Sequence, residues 1–160
     1  MQKRPFILFL LLGMWLLSAS SNAQQDFLSI GETLPAITLA DQHGATVSLA
    51  ADTRLILFAA DKDAADLVND YLTNQTETFL TENRAYFLSD ISGMPSVVTR
   101  LFALPKMRER PYSILLGYSE ESLAVLPRKA GMVSVIQLLD GSVQQISFAG
   151  DKEELQKLIP

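Results

Sequence analysis

The sequence predicts an α/β domain, a central mixed sheet flanked by helices, preceded by a signal peptide. Three observations carry that reading. Short apolar runs of strand length alternate with stretches of helical period. An Asp140-Gly141 pair divides an alternating run into a hairpin. A basic start and one apolar run open the chain, in the arrangement of an export signal.

The leader is "MQKRPFILFLLLGMWLLSASSNAQQ". Lys3 and Arg4 are followed by an apolar run from Phe6 to Leu17, then by small polar residues. Ser21 and Ala23 occupy the −3 and −1 positions of a signal-peptidase site, so residues 1–23 are expected to be removed after Ala23. The run is short for a membrane span, which needs roughly 20 apolar residues. No cysteine follows it, which excludes a lipid anchor there. The mature chain, residues 24–160, is one domain by length. The expected location is the periplasm.

Each later element has its own local reason. In "GETLPAITLADQHGATVSL", Ile37 and Leu39 alternate with polar neighbours, "DQHG" turns the chain, and Val47 and Leu49 resume the alternation. "RLILFAA" is a nearly continuous apolar run that suits a strand buried on both faces. Ala64, Leu67, Val68, Tyr71 and Leu72 then recur at helical spacing, with Asp66, Asn69 and Asp70 on the wet side. "AYFLSDI" reads as a second central strand. Pro95 is suited to open a helix, Val97, Val98, Leu101 and Phe102 supply a stripe for burial, and Pro105 is expected to stop it. "YSILLGY" is a third strand, and "MVSVIQLLDGSVQQISF" is the hairpin. The last helix has Asp151 with Glu154 three residues on, a capping pattern, and Leu155, Leu158 and Ile159 for its inner side. Such alternation implies helices on both faces of the sheet.

Composition narrows function mainly by exclusion. The formal charge is −5, and it becomes −7 when the leader removes Lys3, Arg4 and no acid. Nucleic acid, whose phosphates need a basic face, is therefore not an expected partner. Anionic membrane is not a main partner either, contact with membrane being expected only during export. The chain has no cysteine and one histidine, His43, in the "DQHG" turn. Thiol chemistry is thereby excluded, and a structural zinc site nearly so. There is no Gly-x-Gly-x-x-Gly, phosphate loop or nucleophile elbow, so no cofactor is expected.

The order of elements resembles the thioredoxin-like superfamily, in the branch of peroxiredoxins and exported thioredoxin-like reductases. The residues that carry the resemblance are Gly31, Pro35, Ile37, Leu39, Asp41, Gly44 and Leu49 at the start. At the end they are the Val133–Leu139 run, Asp140-Gly141, the Val143–Phe148 run, Gly150 and the final helix from about Glu153. It implies a thioredoxin-like sheet over nearly the whole mature chain. It also implies a redox cysteine at the start of the helix after the first central strand, near Asp63 to Asp66, and a cis-proline before the hairpin. Here the first position holds carboxylates and the second holds Gly131-Met132; Arg110-Pro111 precedes an earlier strand.

The candidate binding face is therefore Asp61, Asp63, Asp66 and Met132. Two readings stay open for the acidic turn. One of its aspartates caps the helix, or the cluster binds a ligand, with Asp90 as a further oxygen donor. Met94, Met107 and Met132 read as packing residues rather than a soft metal site. Arg100, Lys106, Arg108 and Arg110 form one basic stretch and Arg128-Lys129 another, either solvated or used to dock an acidic partner. The function expected is a redox-inactive exported domain that binds an envelope protein or a small molecule. The alternatives are an enzyme using the acidic cluster or a bound flavin, and a structural envelope protein.

Overall fold

The computed structural model describes residues 27–159, so the expected leader lies outside the described part. Its strands are β1 (Thr38–Asp41), β2 (Thr46–Ser48), β3 (Leu55–Ala59), β4 (Ala85–Asp90), β5 (Ile114–Gly117), β6 (Val133–Leu139) and β7 (Ser142–Ala149). Its helices are α1 (Lys62–Leu72), α2 (Phe79–Glu82), α3 (Ser96–Val98), α4 (Leu104–Arg108) and α5 (Lys152–Leu158). A π-helical turn, Thr99–Ala103, joins α3 to α4, and a 3₁₀ turn spans Glu120–Leu123.

The strands form one sheet in the order β2-β1-β5-β4-β3-β6-β7. β3, β4 and β5 run parallel, and the remaining pairings are antiparallel. β3 lies inside the sheet and all five of its residues are buried, as its unbroken apolar run predicts. The hairpin forms at Asp140 and Gly141, whose φ angles of 50° and 77° match the positive values that a two-residue turn of this kind needs.

Helices are not distributed as the alternation predicts. The chain steps from β3 to β4 and on to β5 in the same direction across the sheet. Right-handed crossovers then place both connecting helical segments on one face. Ala64, Val68, Tyr71 and Leu72 of α1, Leu80 of α2 and Leu155 of α5 share one core with Leu57, Phe87 and Ile114, and Leu104 and Met107 pack at its edge. The opposite face buries Ile56, Phe58, Leu115 and Ile136 under Leu28 of the N-terminal arm and Leu123 and Leu126 around the 3₁₀ turn.

The segment after β4 departs most from expectation. Val97, Val98, Leu101 and Phe102 do not form a buried stripe; they are 63, 41, 60 and 62% exposed. The buried side holds Thr99, with Leu104 and Met107 packed against the core. The π turn widens the spacing between Thr99 and Leu104, and so sets which side of the helix meets the sheet. Pro105 does not end the helix. It is the second residue of α4, directly after the π turn and inside one continuous helical segment. α2 has only four residues, too few to show a period in the sequence.

Gln42 locks the first hairpin to the sheet. Its buried side chain donates to the Tyr112 carbonyl at 2.8 Å and accepts from the Ile114 N–H at 2.8 Å. Arg108 Nε donates to the Gln42 carbonyl at 2.9 Å, so the basic stretch helps to hold this corner.

Candidate functional site

β3 ends at Ala59 and α1 starts at Lys62, leaving Asp61 as the capping residue in extended backbone. Its Oδ1 accepts from the Ala64 N–H at 3.0 Å, which satisfies one of the amides that a helix start leaves without partners. Its Oδ2 accepts from the Gly131 N–H at 2.7 Å. One carboxylate thus ties the start of α1 to the loop entering β6. The loop presents that N–H through a tight turn in which the Met132 N–H donates to the Lys129 carbonyl at 3.1 Å. Gly131 has a φ of 70°, a conformation that favours glycine.

A second charged group lies at the end of β4. The Asp90 side chain is 5% exposed and accepts from Arg128 Nη1 at 2.9 Å. Asp90 also accepts from the Ser92 N–H at 3.0 Å and the Ser92 hydroxyl at 2.6 Å. Arg128 Nη2 donates to the Leu123 carbonyl at 2.7 Å, and the guanidinium sits 5.2 Å from the centroid of the Phe58 ring. A buried charge pair is more tolerable when its remaining atoms find partners; Nη1 and Nη2 do so here, whereas Arg128 Nε is buried without one.

Between these groups is an open cleft of about 510 Å³, lined among others by Asp61, Lys62, Asp90, Met94, Glu120 and Arg128. It lies beyond the carboxyl ends of the parallel strands β3 and β4, where open α/β sheets place their ligands. Ile91 and Met94 also border a neighbouring hollow of about 270 Å³, which reaches Thr99, Arg100, Leu104 and Tyr118.

The four expected face residues are placed unevenly. Asp61 is in the cleft wall. Asp63 and Asp66 are exposed on α1, and Asp66 pairs with Lys62 one turn away. That carboxylate holds the Lys62 ammonium above its usual range, by hydrogen bonding first and charge second. Met132 adjoins Gly131 in the chain, but its methyl lies 3.4 Å from where a Cβ on Gly150 would stand, toward the entry to α5. His43 is an exposed turn residue whose N–H donates to Asp41. Among the described residues no three acidic or histidine side chains group into a metal site. Gly131 and the Asp90–Arg128 pair complete the site. Neither partnership has a local signal, since Asp61 and Gly131 are 70 residues apart and Asp90 and Arg128 are 38 apart.

No family model and no curated protein matches the chain. Solved structures do. A candidate protein disulfide isomerase from Bacteroides thetaiotaomicron is 15% identical over 82% of this chain and 86% of its own, with a TM-score of 0.57. A candidate thiol:disulfide interchange protein DsbE from Chlorobium tepidum is 16% identical over 82% and 96%, with a TM-score of 0.57. The fold is thioredoxin-like. The thioredoxin domain of a thiol-disulfide oxidoreductase from Bacteroides vulgatus is similar too, at 14% identity over 83% and 99% and a TM-score of 0.52. These thioredoxin-like neighbours are described by disulfide chemistry. This chain has their fold and no cysteine. At the start of α1 it has a carboxylate bound by two backbone amides, and before β6 it has Gly131-Met132.

Proposed function

We propose that the chain is an exported thioredoxin-like domain without thiol redox chemistry. It acts by binding an envelope protein or a small molecule at the cleft beside Asp61. The observation that carries this reading is the double engagement of Asp61. Its two oxygens hold Ala64 and Gly131, so the group acts as an anchor between two loops that border an open cleft. A carboxylate so placed cannot replace a thiolate as the attacking atom on a disulfide or a peroxide.

Gly93 lines the cleft, and a Cβ added there meets no atom within 4 Å. Gly93→Trp adds bulk at the cleft lining with no clash at its Cβ. A pull-down from the native envelope fraction, with metal and cofactor analysis of the same sample, is expected to recover a partner or ligand with the native protein. The Gly93→Trp form should lose it at an unchanged melting temperature. Equal recovery by both forms overturns the cleft as the binding site. Clean protein is expected neither to reduce insulin disulfides nor to consume peroxide, and turnover in either assay overturns redox inactivity. N-terminal sequencing of periplasmic protein is expected to begin at Gln24; Met1 retained in a cytosolic fraction overturns export.

A further inference from the structure

The helical segment from Ser96 to Arg108 carries apolar residues on two sides and buries only one. Thr99, Leu104 and Met107 meet the core, whereas Val97, Val98, Leu101 and Phe102 are 41–63% exposed. Exposed apolar side chains grouped along one helix are the usual mark of an interaction surface. The hollow of about 270 Å³ beside them is bordered by Met94, Thr99, Leu104 and Tyr118, and Tyr118 is itself 52% exposed. Ser96 and Arg100 border the same hollow, so it has both apolar and polar edges.

The charges around this row say what kind of partner fits. Arg100, Lys106 and Arg108 are exposed, and Glu109 is the only acid between Met94 and Arg110, in a chain of net charge −5. A second copy laid face to face would set Arg100 and Lys106 against their own equivalents. An anionic lipid surface would attract the segment and repel the acidic remainder of the molecule. An apolar polypeptide face edged with carboxylates satisfies both features, by the mode in which an amphipathic helix packs its anchors against a complementary surface. We propose that Val97, Val98, Leu101 and Phe102, with Arg100 and Lys106 at their margin, dock an acidic amphipathic segment of a partner polypeptide. Neither Leu101 nor Phe102 lines the cleft beside Asp61, so this surface stands or falls independently of it.

The test uses the protein isolated from the cell and two synthetic helical peptides of about 18 residues, five turns each. Both have the same leucine face, one with glutamates and the other with lysines on its polar side. The glutamate peptide is expected to bind at least about tenfold more tightly than its lysine twin. It should shift the amide signals of residues 96–102 and of Tyr118. Leu101→Ser with Phe102→Ser should abolish that binding while the melting temperature holds. Arg100→Glu with Lys106→Glu should reverse the preference between the two peptides, and this arm stands even if the serine variant folds poorly. Equal affinity for both peptides overturns the proposal. So does binding to phosphatidylcholine–phosphatidylglycerol vesicles without discrimination between the peptides. So does a concentration-dependent dimer of the protein alone that the serine variant abolishes.

Discussion

Asp61 Oδ2 accepts the Gly131 N–H at 2.7 Å while Oδ1 of the same carboxylate caps α1, so one side chain joins two segments 70 residues apart. The second bond is long-range, and it separates this residue from an ordinary cap. Asp151 provides the comparison within the same molecule, since its Oδ1 accepts from the Glu154 N–H at 2.8 Å and serves its own helix alone.

Asp61→Ala should therefore cost more than Asp151→Ala. Loss of a cap alone costs about 0.5–2 kcal/mol. Loss of a cap together with a charge-assisted bond to Gly131 should cost about 2–4 kcal/mol. Asp63→Ala and Asp66→Ala, both at exposed positions, should stay within about 0.5 kcal/mol of the parent. Urea unfolding of the four variants measures this. Equal losses for Asp61→Ala and Asp151→Ala would mean that the bond to Gly131 contributes nothing.

Removal of Asp90 should be severe. Asp90→Ala leaves the Arg128 guanidinium, 30% exposed, without its charge partner, and leaves the Ser92 hydroxyl without its acceptor. Breaking a buried ion pair costs about 3–5 kcal/mol, and the partial exposure of Arg128 places the loss at the lower end. A double-mutant cycle with Arg128→Met should recover part of it, since no buried charge then remains alone. Additive losses in that cycle would count against coupling between the two groups.

Gln42 is 2% exposed and satisfies two backbone groups of the β5 approach. Gln42→Ala leaves the Tyr112 carbonyl and the Ile114 N–H unpaired. Each unsatisfied buried group costs about 1–3 kcal/mol, so the variant should lose at least 2 kcal/mol, roughly. Gln42→Glu should be no better, because an ionised carboxylate has no hydrogen to give to Tyr112. Thermal melts of the two variants decide this; a parent-like melting temperature in either one refutes the account.

Alkaline pH should unfold the protein through two tyrosines. Burial raises the phenol of Tyr71, and burial is also the largest influence on Tyr112, which it raises. A raised folded-state value means that the unfolded chain ionises first as pH climbs past about 10. The contribution is complete below that value and is lost as pH rises through the folded-state values. Urea midpoints measured from about pH 8 to 11 should fall steeply only at the upper end. Tyr71→Phe with Tyr112→Phe should flatten the fall, although Tyr112→Phe also forfeits the 2.9 Å bond to Asn69 Oδ1. A fall of the same steepness in the double variant would assign the alkaline loss to other groups.

The elements that could be read locally share a physical trait. β3 is apolar at every position, and α1 puts its small and large apolar residues on one side. Asp140-Gly141 can take positive φ without a partner elsewhere. Their conformations follow from residues a few positions apart. That one aspartate of this turn caps α1 was legible for the same reason, because helix starts accept carboxylates whatever surrounds them; that it is Asp61 came from the structure. The stripe after Pro95 misled because Val97, Val98, Leu101 and Phe102 have helical spacing, and spacing says only that side chains share a side. Which side meets the sheet was set by the π turn and by the fit of Thr99, Leu104 and Met107 against the core.

From the sequence by itself came the order of the strands and of the longer helices, the hairpin, the acidic helix start and the absence of any thiol. Each is a matter of residue identity or of contact within a few positions. Only the tertiary structure decided that the α-helices share one face, that Asp61 reaches Gly131, that Arg128 pairs with Asp90, and that four apolar residues face outward. These depend on packing between segments far apart in the chain. A residue's chemistry states which contacts it can make, and the folded topology chooses which partner is near enough to make them.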